Sequence, residues 1–350
     1  MKYINKLLDF IKKNENWKDL IQKDPYNIIV KENGNYTLLK YNQLSSDFKS
    51  PIVRACRGII LDKFNNVVCF PFYKFFNYGE DNADAIDWES AKVQEKIDGS
   101  LIKVWYDYFW HVSTNGSISA SEAPLNDTGK TYRDLFDEVI NSIDFGKLNK
   151  NNTYMFELVS PENQVVVYYP ETRIYHIATR DNITFEEIEE DIGVTKPKLY
   201  NFNSLDDLIE FSKTLSKDEE GFVVVDKNYN RIKVKSPQYL MAHYLVGNCK
   251  FTDERIIDII KSGEEKEVLT YFPELKKDFD KINILINFFV STVYLRYANF
   301  LDINDRKEYV NFNKDEKSFK YLMILYDNPN ANIKLELLKS PTNKILNVIK

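Results

Sequence analysis

The sequence predicts an α+β protein, strands first and helices after. From 26 to 235, short runs of β-branched and aromatic residues recur, separated by turn dipeptides such as Asn33-Gly34 and Asn115-Gly116. From about Tyr239 the strand signals stop and apolar residues recur at helical spacing. The change of character places a boundary near 245–252 and divides the chain into domains 1–246 and 247–350. A length of 350 residues suits two domains.

The elements follow in order. Residues 1–24 carry Ile4, Leu7, Leu8 and Ile11 with lysines between, the spacing of one or two amphipathic helices. The alternating stretch 26–41, with Asn33-Gly34 inside it, predicts a β-hairpin, and 45–50 a polar loop. The apolar run after Arg57-Gly58 predicts a buried strand, returned by Asn65-Asn66 through Val67 to Phe70. Residues 91–95 lead into Lys96-Ile97-Asp98-Gly99-Ser100, and the strand-like run 101–106 leads away from it. Further strands are expected at 110–114, 154–159, 175–178, 222–226 and 231–235, with the β-rich run 164–169 as partner of 154–159. Helices are expected at 131–143, 185–191 and 205–215, then at 255–261, 267–271, 275–300, 319–325 and 333–338.

Composition narrows the class. Hydrophobic residues at 43% and charged residues at 29% describe a soluble globular chain. The longest apolar run, 284–294, is too short to span a bilayer, and the N-terminus lacks the continuous apolar core of a signal peptide. A cytoplasmic protein with no membrane association is the expectation. Cys56, Cys69 and Cys249 are too few and too scattered for a zinc site or a disulfide framework. A net charge of -6 means that any nucleic-acid site must gather its positive charge locally. The 23 tyrosines and 23 phenylalanines are mostly core residues, and they are also candidate stacking platforms.

Four features carry chemistry. Lys96 stands two residues before Asp98-Gly99; alone, that pattern reads as a hairpin turn with an exposed lysine. Lys74 stands among aromatics in Pro71-Phe72-Tyr73-Lys74-Phe75-Phe76-Asn77, either over an aromatic cluster or in a site. Glu157 is a lone carboxylate in an apolar strand, so it lies on an edge or faces a polar site. Arg231, Lys233 and Lys235 share one strand face, where they repel one another unless an anion sits between them; a solvated edge strand is the alternative.

Taken in order, Cys56-Arg57-Gly58-Ile59, Lys74-Phe75-Phe76-Asn77, Lys96 to Leu101, Gly116 to Ile118, Phe156 to Asn163, Glu220-Gly221-Phe222 and Lys233 to Ser236 resemble the covalent nucleotidyltransferase superfamily. More closely they resemble the phage-type RNA ligase 1 family, over about residues 36–245. The resemblance implies an N-terminal nucleotidyltransferase (adenylyltransferase) domain built on antiparallel sheets with flanking helices. It implies an all-α C-terminal domain that confers RNA preference. The implied activity is ATP-dependent joining of RNA 5′-phosphate and 3′-hydroxyl ends, as in RNA or tRNA repair. Lys96 is then the nucleophile that takes AMP from ATP, and Lys233 and Lys235 hold the α-phosphate. Glu157 serves the ribose or the metal, and Glu220 orients metal, water or phosphate. Arg57 lies by ribose and phosphate, and Lys74 reaches the nucleotide phosphates. Tyr41, Glu95, Asp98 and Gly99 complete the nucleotide site.

The implied ion is Mg2+, with Mn2+ as a substitute, and Glu264 or Glu265 is a candidate metal ligand from the first C-terminal helices. Implied partners are RNA with single-stranded ends or broken tRNA loops, ATP, and an end-healing kinase or phosphatase, acting on a monomer that is virus-encoded or cellular. Asn115 stands where the family's best-known member has a lysine. A DNA ligase or mRNA guanylyltransferase would continue into a β-rich barrel, against which the helical spacing after 250 argues. The remaining alternative is an RNA-end-binding protein without catalysis.

Overall fold

The computed structural model describes residues 3–125, 128–244, 251–303 and 305–350. The chain forms two compact units, Met1–His243 and Tyr244–Lys350. The boundary expected between 246 and 247 lies outside the described residues, as does Cys249.

The first unit opens with α1 (Ile4–Lys13) and α2 (Trp17–Ile21). Ile4, Leu7 and Ile11 fall on one face of α1 and are buried, as the helical spacing requires. Next come β1 (Ile28–Asn33), β2 (Tyr36–Tyr41), α3 (Pro51–Ala55), β3 (Arg57–Leu61) and β4 (Val67–Cys69), and the four strands form one antiparallel sheet in chain order. Gly34, at φ 57°, supplies the left-handed backbone of the β1–β2 turn. Both helices of the N-terminus pack on this sheet through Ile4, Leu7, Trp17, Ile21, Ile59 and Leu61.

Two five-stranded sheets follow. One has the order β12 (Leu199–Tyr200), β6 (Lys92–Glu95), β13 (Gly221–Val225), β14 (Arg231–Lys235), β5 (Phe76–Asn77). Its pairs are antiparallel except β14 with β5, a short parallel pair. The other has the order β11 (Glu187–Ile188), β10 (Arg173–Asp181), β9 (Asn152–Val159), β7 (Ser100–Asp107), β8 (Phe109–Thr114), all antiparallel. The two sheets meet through Val223 of β13 and Met155 of β9, with Phe72 and Phe75 between them. The helices α4 (Tyr132–Val139), α5 (Leu205–Ser212) and α6 (Pro237–Tyr244) complete the strand-rich part. A capping box at Thr131 and Asp134 starts α4.

Lys96 to Gly99 are not a hairpin turn. They carry the chain from β6 in one sheet to β7 in the other, so Lys96 stands where the two sheets part. Gly99 is needed for closeness: a Cβ there would lie 2.4 Å from the Leu158 carbonyl of β9.

Two expected elements differ. Residues 185–191 form no helix. Phe185 takes a left-handed φ of 63°, and Glu187 joins β11, paired with Arg180 of β10. Two buried arginines on Glu187 override the helical spacing of the acidic run. Residues 164–169 are not the partner strand of β9, which is flanked on both sides by β10 and β7. The backbone N–H groups of Val166 and Val167 instead donate to Asp98 Oδ2, at 2.9 and 2.8 Å.

The second unit is helical: α7 (Asp253–Ser262), α8 (Glu265–Tyr271), α9 (Lys276–Ala298), α10 (Arg306–Asn313), α11 (Phe319–Asp327), α12 (Ile333–Leu338) and α13 (Thr342–Ile349). Phe279, Ile282, Ile286, Phe289 and Val293 make one buried stripe along α9. α3, α10 and α13 were not expected from the sequence; each is short and carries few periodic positions. No helix among the described residues is long and apolar enough to cross a membrane.

Candidate active site

A cavity of about 430 Å³ opens between the two five-stranded sheets and is lined from both. Strand register places Lys96 in its wall and sets Glu220 and Lys235 beside it. Lys96 N donates to the Gly221 carbonyl at 2.8 Å, and Gly221 pairs with Lys235 on the other side. Glu220, one residue earlier, is therefore wedged between two lysines. Lys96 Nζ donates to Glu220 Oε2 at 2.6 Å, and Lys235 Nζ lies 3.7 Å from Glu220 Oε1. Glu220 is only 5% exposed, and the two lysines are its counter-charges. Gly221 has φ 134°, and a Cβ there would lie 2.2 Å from the Val234 carbonyl, so glycine lets β13 close on β14.

Lys233, Glu157, Arg57, Glu95 and Gly99 line the same cavity. β14 is interior, between β13 and β5, which excludes the solvated-edge reading of Arg231, Lys233 and Lys235. The anion required by that cationic face is Glu187 for Arg231, bonded through both carboxylate oxygens at 2.6 and 2.5 Å. For Lys235 it is Glu220. Lys233 lies over the Phe75 ring, 5.4 Å from its centroid. Arg57 lies over Phe72 and Phe75, and its Nη1 is buried without a hydrogen-bond partner.

Glu157 is on an interior strand, opposite Leu101 of β7 and Tyr175 of β10, and faces the cavity. Burial pushes its carboxyl up to about 7; Lys96 opposes the shift and Glu220 adds to it. A carboxyl raised above its unfolded value of 4.5 binds protons more tightly when folded. Its stabilisation is present below pH 4.5 and is lost as pH rises through 7. Glu157→Gln is thus expected to match the wild type in thermal stability near pH 4.5 and to exceed it at pH 8. The gap is at most about 3 kcal/mol. Parallel stability profiles from pH 4.5 to 8 would show that folding leaves the Glu157 carboxyl at its ordinary value.

Five expected site residues of the first unit lie outside the cavity lining: Glu220 and Lys235, which stand beside Lys96, and Asp98, Lys74 and Tyr41. Asp98 is buried and serves as an anchor, accepting from Val166 N, Val167 N and, at 2.8 Å, Tyr239 OH. It holds the crossover that presents Lys96 and does not line the cavity. Lys74 Nζ sits over the rings of Tyr41, Phe48 and Phe76, 5.1 to 5.3 Å from their centroids, and is not in the cavity lining. Tyr41 shares that cluster. Burial pushes its phenol up, but Lys74, Arg57 and Lys40 outweigh this and leave it below its ordinary value. Glu264 belongs to the second unit, where it accepts from Ser262 Oγ.

The structure adds residues that had no assigned role. Ser100 Oγ and Tyr132 OH both donate to Asn163 Oδ1, at 3.1 and 3.3 Å, and Ser100 and Tyr132 line the cavity. Ser100 and Asn163 end two of the motifs noted in the sequence, which was the available signal. Phe72 and Phe75 form the aromatic wall. No cluster of three or more His, Cys, Asp or Glu suited to a metal occurs among the described residues. The pair Glu157 and Glu220 fits an ion held by one or two carboxylates and otherwise by phosphate and water. Glu157's raised value marks a carboxyl that a cation would relieve.

Several known proteins are similar to this chain in sequence. A protein of Autographa californica nuclear polyhedrosis virus, provisionally named a bifunctional polynucleotide kinase/RNA ligase, is 33% identical over 283 residues, 72% of this chain. This chain spans only 40% of that relative's length. An RNA ligase of Rhodothermus phage RM378 is 27% identical over 330 residues, covering 72% of this chain and 75% of the phage protein. Among solved structures, an archaeal ATP-dependent RNA ligase aligns with 95% of this chain and 77% of its own, at 11% identity and a TM-score of 0.47, a likeness that carries no functional weight. The family model described as RNA ligase matches residues 55–239, more than half of the chain and the whole stretch from Arg57 to Lys235. The chain belongs to the RNA ligase family.

Proposed function

We propose that this protein is an ATP-dependent RNA ligase that joins 5′-phosphate and 3′-hydroxyl ends through a lysyl-AMP and an RNA-adenylate. The observation that carries the reading is Lys96 Nζ bonded to the buried Glu220 carboxylate in a cavity that also holds Glu157, Lys233 and Arg57.

In the first step the uncharged Lys96 amine attacks the α-phosphorus of ATP; the nitrogen–phosphorus bond forms, the bond to the β-phosphate oxygen breaks, and pyrophosphate leaves. The amine proton passes to Glu220, its existing partner at 2.6 Å. Lys233 and Lys235 stabilise charge building on the α-phosphate. Glu157 and Glu220 are the residues that would hold Mg2+ or Mn2+, which would neutralise phosphate charge there. Phe72 and Phe75 offer an apolar wall for the nucleoside. The AMP then moves to the RNA 5′-phosphate, and the 3′-hydroxyl displaces it. Lys74 and Tyr41 act from outside the cavity, as supports of its rim. Domain 1–246 carries these steps, and 247–350, with Glu264, serves the RNA.

The baculovirus relative's name includes a polynucleotide kinase, which supports pairing with an end-healing activity that supplies 5′-phosphates. The natural substrate in this reading is broken RNA, tRNA included, met in the cytoplasm, by a monomer.

Incubation with α-labelled ATP and a divalent metal tests the reading: label should become covalently attached to the protein. Label from GTP alone would indicate capping chemistry, and no label would leave end-binding without catalysis. Lys235→Ala should slow self-adenylation roughly a hundredfold, as for loss of one charge-stabilising donor. An unchanged rate in single-turnover assays would remove Lys235 from the phosphate site.

A further inference from the structure

Among the described residues, the most exposed aromatic rings of the first unit gather on two neighbouring turns. Tyr108 (87% exposed) and Phe109 (62%) stand at the β7–β8 turn, and Phe64 (72%) at the β3–β4 turn. Both turns reach Tyr36. Its hydroxyl donates to Asp107 Oδ2 at 2.8 Å, and burial, Asp107, Tyr108 and Asp62 together push its phenol up.

Phe109 is not a loose side chain. Trp105 and His111 face each other across the β7–β8 register and stack at 4.1 Å, 8° from parallel. His111 stacks in turn with Phe109, at 4.1 Å and 28°. Tyr36 sets its edge against both Trp105 and His111. Burial falls along the series: Trp105 is fully buried, His111 half-buried and Phe109 mostly exposed. A column of rings anchored in the core therefore ends in water. Tyr108, beside it, is held at φ 60°, a left-handed backbone that a bulky residue enters at a cost. Strain of that kind gathers where ligands are held.

Charge and area narrow the occupant. Lys63 Nζ sits over the Phe64 ring and Lys150 Nζ over the Tyr106 ring, 5.1 and 4.4 Å from their centroids, and among the described residues neither makes an ion pair. Asp62 and Asp107 balance them, and both are engaged, one by the backbone N–H groups of Phe64 and Asn66, the other by Tyr36. The tip is thus aromatic and close to neutral. Its three rings offer roughly 450 Å², short of the about 800 Å² a side of a stable protein interface. One base needs only one ring, and stacking needs no net charge.

We infer that Phe109, with Tyr108 and Phe64 beside it, is a stacking platform for unpaired bases of the RNA whose end lies at Lys96. β8 runs from Phe109 to Thr114, which lines the cavity, so platform and cavity are about 17 Å apart along one strand. An RNA with its end in the cavity reaches the platform after a few nucleotides, and a shorter one does not. The inference rests on the ligase reading and extends it to the body of the substrate, away from the reacting ends.

The test measures binding of 5′-phosphorylated oligoribonucleotides, of about three and about twelve nucleotides, to the full chain by calorimetry. Phe109→Ala should weaken the longer RNA about tenfold, as for loss of one stacked base. Phe109→Trp should retain binding. Phe109→Leu keeps apolar area without a π-face and should behave as the alanine variant. None of these changes should weaken the trinucleotide. The effect of Phe109→Ala should persist as salt is raised, since stacking releases no counterions. Thermal unfolding of the variants checks that the fold is kept. The inference is overturned if Phe109→Ala binds the longer RNA within about twofold of wild type, if leucine serves as well as phenylalanine, or if the trinucleotide is weakened equally. A length-dependent loss in a protein that never self-adenylates would defeat the ligase reading and leave the platform standing. Self-adenylation without any effect of Phe109 on binding would do the reverse.

Discussion

Lys96→Ala should abolish transfer of labelled AMP to the protein while leaving the fold intact. The amine is the protein group that bonds to phosphorus in the proposed reaction, and alanine supplies no nucleophile. The fold should survive because Glu220 keeps Lys235 as a charged neighbour at 3.7 Å, and the Lys96 backbone bond to Gly221 does not involve the side chain. Circular dichroism and thermal unfolding should therefore resemble the wild type. Joining of a pre-adenylated RNA should survive in part, since the first two steps are bypassed. That split between lost adenylation and retained sealing separates loss of a nucleophile from general damage. Normal labelling of the variant would end the assignment of Lys96.

The largest effect on stability is expected at Glu187, a residue outside the proposed chemistry. Its carboxylate is 5% exposed and bonds Arg180 of β10 at 2.6 Å and Arg231 of β14 through both oxygens. Burial pushes the Glu187 carboxyl up, but the two arginines outweigh it and hold it below its ordinary value. The three charges thus tie the two five-stranded sheets together behind the cavity. Glu187→Gln keeps the shape but leaves two buried guanidinium groups without an anion, and breaking a buried network in this way costs roughly 3–5 kcal/mol. Denaturant titration followed by aromatic fluorescence should show that loss at an unchanged slope. Self-adenylation should fall with it, because Arg231 shares its strand with Lys233 and Lys235. A loss below about 1 kcal/mol would mean that water reaches the arginines and the network is not dry.

Much of the site was legible as an ordered set of short motifs. Arg57, Lys96, Gly99, Glu157 and Lys233 are separated by up to 176 positions, yet they line one cavity, and Glu220 and Lys235 stand beside Lys96. Alternation in 231–235 correctly put three cations on one face, but it could not distinguish an edge strand from an interior one, which depends on β5 arriving from far away in sequence. The places of Lys74 and Asp98 outside the cavity lining were not legible for a related reason. The residue types suit a phosphate site, and their neighbours in space, three aromatic rings for one and a tyrosine hydroxyl with two amides for the other, come from distant segments. The acidic run around Glu187 has helical spacing, and only the two arginines waiting for it make it a strand.

Local chemistry in the chain determined which segments are strands or helices, where most turns fall, and which residue types are available for phosphoryl transfer. Turn preference and side-chain periodicity act over a few residues and need no knowledge of the whole. The three-dimensional arrangement decided which charges are paired and which are left waiting for a ligand, because that depends on burial and on register between strands. Lys96 on Glu220 and Glu187 on two arginines are both decisions of that kind.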